Sequence, residues 1–274
     1  MASYNEIPVS TLARLVGTPD CPVLLDVRLD EDFEADSYLI PGATRHAWQD
    51  APDLAGHVAG RSVVVYCQKG LKISQGVAVH LRASGVEAEL LEGGQFAWRD
   101  AGLPMVHAHR LPPRDAKGCT IWVTRHRPKI DRIACPWLLR RFVDPHARFL
   151  FVAPSQVRSV AERFNATPFD IEDVFWSHRG DRCTFDTMIE EFGLGHEALE
   201  RLAVIVRGAD TNRHGLAPEA AGLLAASLGL SRMYRDDLEQ LAAGMVLYDA
   251  FYRWARDATD EGHDWLAASK RAGG

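Results

Sequence analysis

One segment of the chain combines residue types that can do nucleophilic chemistry. Cys67 follows the apolar run Ser62-Val63-Val64-Val65-Tyr66 and precedes Gln68-Lys69-Gly70-Leu71-Lys72, after which Leu71 to Ala83 has amphipathic helical spacing. A short loop entering a helix N-terminus turns successive backbone N–H groups inward, and that nest favours an anion. A thiol held there has its pKa lowered, and the thiolate is the attacking form. Lys69 and Lys72 add positive charge, and Gly70 permits a backbone angle closed to other residues. The alternative is a buried structural cysteine, the ordinary state for a cysteine ending a strand. Two lysines and a glycine within the next five residues favour the reactive reading. The anion-stabilising donors would then be the N–H groups of Gln68, Lys69, Gly70, Leu71 and Lys72.

A second group lies further along. Thr124-Arg125-His126-Arg127-Pro128-Lys129 reads as a loop, Arg125 and Arg132 flank its junction with the following helix, and His178-Arg179-Gly180-Asp181-Arg182 forms another charged turn. A tetrahedral dianion is best held by planar, permanently charged, multi-donor groups, which means arginine. Arg125, Arg132 and His178 are therefore expected to converge on an oxyanion. The rival is a network in which Arg125, Asp131, Arg132 and Asp181 pair with one another. Metal signals are weaker: Cys119, Cys135 and Cys183 are far apart with no C-x-x-C pair. His178 and Cys183 are five apart, Asp210 and His214 four apart, and His107 and His109 alternate in a proline-bearing stretch. A metal in the second half stays open, with no ligand set assigned.

These residues need positioning. Pro22 to Val27, Ser62 to Tyr66 and Val86 to Leu91 read as buried strands, and Thr11–Val16, Leu71–Ala83 and Gln95–Ala101 as helices between them. Strands alternating with helices predict a mostly parallel sheet covered on both faces, with ligands beyond the strands' carboxyl ends. Met105 to Gly118, with Pro112-Pro113 and no apolar period, reads as an extended joint. Beyond it, Cys119–Val123 and Arg148–Val152 read as strands. Ile130–Phe142 reads as a helix that Pro136 kinks or whose start it shifts, and Phe175–Arg182 as strand then turn. From Cys183 onward helices are expected over 184–192, 196–207, 217–229 and 234–256. The domains are thus expected at 1–107 and 119–274, with a linker at 108–118.

The 274 residues suit two domains, and 47% hydrophobic with 25% charged residues exclude disorder throughout. Five cysteines are too few for a disulfide scaffold. The net charge of −6 conceals a basic strip: residues 110–148 carry ten basic and three acidic side chains, a net of +7, between two acidic blocks. That strip either binds an anion or pairs with its flanks. Nucleic acid is disfavoured as a partner, since the tryptophans beside the charge fall in an apparent strand (Trp122) and core (Trp137). No basic-then-apolar leader and no apolar run near 20 residues is present, so the expected setting is the cytoplasm, with reduced thiols and no membrane span.

Four segments in order, LLDVR (24–28), IPGA (40–43), VVYCQKGLK (64–72) and LEGGQFAWRDAGLP (91–104), resemble the rhodanese family over roughly residues 4–107. The resemblance implies an α/β domain in which Cys67 takes a sulfane sulfur as a persulfide and passes it on. The donor would be thiosulfate or a similar compound, the acceptor a thiol or cyanide-like nucleophile, and no cofactor would be required. The loop Cys67–Lys72 has the six-residue length of the sulfurtransferases. A phosphatase-like branch uses seven residues ending in arginine, where this chain has Ile73. Leu39 departs from the family's usual histidine before Ile-Pro-Gly-Ala. Asp26, Arg28 and Trp98 are read as structural, Trp98 beside the active loop.

The second half resembles the C-terminal domain of the chromate-resistance family ChrB. The matching segments are WVTRHRPKIDRIACPWLLRRFVDP (122–145), TPFDIEDVFWSHRGDRCTFD (167–186), RGADTNRHGLAPEAAGLLAASLGLSRM (207–233) and GMVLYDAFYRW (244–254). This implies a helix-rich α+β domain that senses or handles chromate or another oxyanion. Two readings follow: a sulfurtransferase coupled to an oxyanion-handling domain, with sulfur relayed onward to Cys135 or Cys183 as one option, or an oxyanion sensor whose rhodanese half is regulatory.

Overall fold

The computed structural model describes residues 5–262. The first half runs β1 (Glu6–Ile7), α1 (Val9–Leu15), β2 (Val23–Asp26), α2 (Asp30–Ala35), β3 (Tyr38–Leu39), β4 (Thr44–Arg45), α3 (Ala51–His57), β5 (Val63–Tyr66), α4 (Lys72–Ala83), β6 (Ala88–Leu91), α5 (Gly94–Asp100) and β7 (Val106–His107). Five of these strands form one parallel sheet in the order β1-β6-β5-β2-β4, while β3 and β7 pair antiparallel.

Alternation along the central strands builds two layers, because successive side chains of a strand face opposite ways. Val63 and Val65 of β5, with Leu25 and Leu90, pack under α3 and α4 beside Leu54, Val77 and Leu81. Val64 and Tyr66, with Leu24 and Leu91, face the other way onto Leu12 and Val16 near α1 and Trp98 of α5. This second layer does not end with the domain. It runs into Trp137, Phe142, Tyr248 and Tyr252, so the two halves share one continuous core.

The second half runs β8 (Ile121–Arg125), α6 (Asp131–Leu138), β9 (Arg148–Val152), α7 (Val157–Phe164), β10 (Thr167–Pro168), α8 (Thr184–Phe192), α9 (Glu197–Asp210), α10 (Glu219–Met233) and α11 (Asp237–Asp257). A small parallel sheet, β10-β8-β9, carries Val123 against α7 and turns Trp122 toward Phe169 and Trp176. The four helices from residue 184 onward lie where their apolar spacing and Gly or Pro stops put them.

Four local readings change. The strand expected from Cys119 starts at Ile121 and takes in Thr124 and Arg125, because β9 pairs with it through Arg125↔Val152. The helix expected over Ile130–Phe142 starts at Asp131 with Pro136 inside it, and beyond Leu138 the chain widens into a π turn over Leu139–Val143. Phe175–Arg182 holds no strand, only single bridges at Phe169↔Trp176 and Arg179↔Arg182. Helices α2, α3 and α7 were not expected; α2, Asp30–Ala35, buries no residue, so it has no apolar stripe to read.

Residues 108–118 carry one turn of 3-10 helix at Ala108–Arg110 and are tied down along their length. Leu111 packs on the shared core, Arg110 pairs with Glu191 at 3.2 Å, and Arg114 bridges to Thr120. Two contacts join the halves closely. Gly42 N–H donates to Phe142 O at 2.7 Å. A Cβ on Gly17, whose φ is +79°, would sit 2.3 Å from the Phe142 ring, so only glycine admits that ring.

Candidate functional site

Cys67 directly follows β5 and is 6% exposed. Its Sγ lies 3.2 Å from Ser74 Oγ and 3.8 Å from Leu71 O. Burial pushes the thiol up, but hydrogen bonds from the Ser74 hydroxyl and from backbone N–H groups of Ser74, Leu71 and Lys69 outweigh it, and the pKa falls below the ordinary value. The other four cysteines go the opposite way. Burial raises Cys21 to about 12, and burial with nearby carboxylates raises Cys119, Cys135 and Cys183. Cys135 and Cys183 are also wholly buried, which removes them from reach of an external sulfur carrier.

The loop's shape is set by backbone contact. Gln95 N–H donates to Cys67 O and Phe96 N–H to Gln68 O, both at 3.0 Å, so the start of α5 clamps the loop's first two carbonyls. Gly70 has φ +69°, and a Cβ there would meet Leu91 O at 2.7 Å; Gly94 has φ +62°, and its Cβ would lie 2.4 Å from Cys67 O and Gly70 N. The Gly-Gly pair of segment 91–104 is therefore the floor on which the cysteine loop rests. Gln68 is half-buried and Gly70 buried, while Lys69, Leu71 and Lys72 are exposed. Both lysines are thus available to an arriving anion. Ser74 was not expected; its position one turn into α4, seven residues after the cysteine, is the signal that could have marked it.

Asp26 and Arg28 form a fully buried pair at 2.6 Å, and the Arg28 guanidinium also donates to Asp36 O and Tyr38 O. That fork fastens the end of β2 to β3. Trp98 donates its N–H to Pro104 O at 2.9 Å and lines a hollow against Phe142, His196 and Tyr252 of the second half. A groove of about 860 Å³, lined by Phe33, His46, His57 and His109 among others, contains neither Cys67 nor the charged centre described next.

In the second half, Arg125, Arg132 and His178 do meet, and they meet around a carboxylate of the chain itself. Asp170 receives Arg125 Nη2 and Arg132 Nε on Oδ2, each at 3.3 Å, and stands 3.3 Å from His178 Nε2 through Oδ1. His178 Nε2 also lies 3.4 Å from Asp131 Oδ2 and 3.2 Å from Asp210 Oδ2. These three carboxylates raise His178 to about 12. Burial pushes Asp131 up to about 7, against the pull of His178. Asp181 pairs elsewhere, with Arg213 at 3.5 Å. Of Asp210 and His214, four positions apart, Asp210 joins the cluster and His214 does not. His107 and His109 stack on each other, ring centroids 5.5 Å apart. Other arginines of the basic strip also find internal partners: the side chain of Arg141 with Asp249, of Arg148 with Asp115, and of Arg127 with Tyr234 O, while Asp237 accepts from the Arg127 backbone N–H.

A parallel sheet whose central strand delivers a low-pKa cysteine into a loop at a helix N-terminus defines a rhodanese-like domain, and residues 9–101 match the rhodanese-like domain model. Residues 122–255 match the model of the C-terminal domain of ChrB. The chain is a rhodanese-like domain followed by a ChrB C-terminal domain. It is 37% identical over 172 residues to the protein ChrB of Cupriavidus metallidurans, covering 58% of this chain and 51% of that protein. It is 34% identical over 98 residues to an uncharacterized protein of Synechocystis sp., covering 34% of this chain and 51% of the relative. The chain thus spans about half the length of each of these curated relatives. Among solved structures, a rhodanese-like domain protein of Staphylococcus aureus is 29% identical, covering 34% of this chain and 90% of that one with a TM-score of 0.30. A rhodanese-related protein of Thermoplasma volcanium is 22% identical, covering 38% and 98%, with a TM-score of 0.33. Among the described residues, no helix is long and apolar enough to cross a membrane.

Proposed function

We propose that the chain is a sulfurtransferase acting through a Cys67 persulfide, in a fusion linked to chromate resistance. The observation that carries this reading is the placement of Cys67 in a loop between β5 and the start of α4, its Sγ 3.2 Å from Ser74 Oγ and the loop seated on Gly94, a setting that lowers its pKa while burial raises the other four cysteines. In the first step the Cys67 thiolate attacks the outer sulfur of thiosulfate or a similar sulfane donor. The donor's S–S bond breaks, sulfite leaves with the electron pair, and Cys67 carries a persulfide. In the second step a thiolate or cyanide attacks the outer persulfide sulfur, and the Cys67 thiolate leaves with its electrons. No external oxidant or cofactor enters the balance. The N–H groups from Gln68 to Lys72 supply donors for the anionic persulfide, and exposed Lys69 and Lys72 offer charge to the donor's sulfonate end.

The test is thiocyanate formation from thiosulfate and cyanide by the full chain. Wild-type turnover that vanishes in Cys67→Ala supports the reading; equal turnover in both refutes it. For the second domain, an oxyanion role for Arg125, Arg132 and His178 has to contend with Asp170, which already takes both guanidinium groups. Sulfate or chromate would enter only by displacing that carboxylate.

A further inference from the structure

We infer that Asp131, Asp170 and His178, with Asp210 beside them, form a binding site for one divalent cation. This site is separate from Cys67 and does not rest on the sulfurtransferase reading. Its parts come from four segments: Asp131 opens α6, Asp170 follows β10, His178 sits in the loop before α8, and Asp210 ends α9. Asp131, Asp170 and His178 each offer a ligand atom within 4.8 Å of the other two.

Three carboxylates crowd a single nitrogen of His178. One imidazole nitrogen carries at most one proton. Yet Nε2 is faced by carboxylate oxygens of Asp210, Asp170 and Asp131 at 3.2, 3.3 and 3.4 Å. Atoms sharing one ion through bonds of about 2.1 Å stand roughly 3.0–3.4 Å apart, in octahedral or tetrahedral geometry. The distances from Nε2 fall within that range. The second, independent observation is Asp131 Oδ1. Asp131 has no exposed surface, and this oxygen has no hydrogen-bond partner. A buried carboxylate oxygen with nothing to accept from calls for a cation or another donor.

The surroundings match those of ligating carboxylates, which are themselves held by hydrogen bonds. Thr184 N–H donates to Asp131 Oδ2 at 2.6 Å, and Thr184 Oγ1 donates to Asp170 Oδ1 at 3.0 Å. Arg125 and Arg132 hold the other oxygen of Asp170. The site has an entrance, because His178 is 40% exposed and Arg125 42%. The donor set decides the class of ion. Carboxylate oxygens with one imidazole suit Mn²⁺ or Fe²⁺ better than thiolate-seeking ions. Cys135 and Cys183 are wholly buried and outside the ligand group.

The test uses the full chain, stripped with chelator and titrated with MnCl₂, followed by calorimetry and by the Mn²⁺ electron paramagnetic resonance signal. The expected result is saturation at one ion per chain, with nitrogen coupling from a single imidazole. His178→Gln removes that coupling, and it and Asp131→Asn each weaken binding tenfold or more. Cys67→Ala binds as the wild type does, which keeps this site apart from the sulfur chemistry. His178 is a loop residue with an exposed edge, so its variant reports even if the buried Asp131 variant fails to fold. No saturable binding of Mn²⁺, Co²⁺ or Zn²⁺ by the wild type overturns the proposal. So does Mn²⁺ binding that survives unchanged in the variants while their metal-free melting temperatures fall, which would mark a purely structural ion network.

Discussion

Ser74→Ala tests whether the Cys67 site is a tuned thiolate or only a buried thiol. The Ser74 hydroxyl stands between two acceptors, Cys67 Sγ at 3.2 Å and Leu71 O at 3.0 Å. With Cys67 protonated, the hydroxyl can donate to Leu71 O; with the thiolate, it can turn to sulfur. A hydrogen bond to a charged group is worth about 1.5–3 kcal/mol, and every 1.4 kcal/mol is tenfold in an equilibrium. Losing it should therefore cost roughly ten- to a hundredfold in thiolate fraction below the thiol's pKa, partly offset by the backbone donors that remain. The sign is fixed: removing a donor to the charged form raises the pKa. Leu71 O still accepts from Gln75 N–H at 3.1 Å without the hydroxyl, so the fold should persist. The assay is the rate of iodoacetamide alkylation of Cys67 against pH, in a background where Cys21 and Cys119 are serine. The variant's profile should shift to higher pH with its plateau unchanged, and thiocyanate production at neutral pH should fall in parallel. An unshifted profile in a folded Ser74→Ala protein would refute the reasoning, because the lowered pKa would then owe nothing to the hydroxyl.

Three further outcomes are expected. Gly94→Ala should abolish sulfur transfer: a left-handed alanine costs about 1–2 kcal/mol by itself, and its Cβ would lie 2.4 Å from Cys67 O, so turnover and alkylation should both collapse. His196 is held down at about 4 by burial and by Arg256, so the folded protein binds fewer protons there than the unfolded chain. Stability should accordingly fall as pH drops from about 6.5 to 4, by roughly 2–3 kcal/mol from this group, and His196→Gln should flatten that limb in urea titrations. Phe142→Ala should cost about 3–5 kcal/mol and speed amide exchange in both α1 and α11; acceleration confined to α11 would contradict a shared core.

How much of this was legible depends on whether a signal is local. The strand-loop-helix around Cys67 is contiguous, so residues 62–83 carry both the fold and the nucleophile. Gly70 and Gly94 show what is less visible: each glycine is readable, but their contact across 24 positions is a matter of backbone approach. The convergence of Arg125, Arg132 and His178 followed from chemistry and resemblance. What lay between them did not, because Asp170 and Asp131 look like ordinary acids until α6, α8 and the loop after β10 are folded together. The basic strip was ambiguous for the same reason, since Asp249 and Tyr234 O lie more than a hundred residues from the Arg141 and Arg127 side chains they hold.

The glycine that receives the Phe142 ring also bears on how the chain is made. Synthesis delivers α1, Gly17 and later Trp98 well before Phe142, Tyr248 and Tyr252 that cover them. At about 5–20 residues per second, the roughly 145 positions from the end of the amino-terminal half near residue 107 to Tyr252 take about 7–29 s to follow. For that interval the amino-terminal half stands at the ribosome with an apolar face uncovered. A fragment ending near residue 107 keeps that face bare permanently, and the expected symptom is self-association that the full chain does not show.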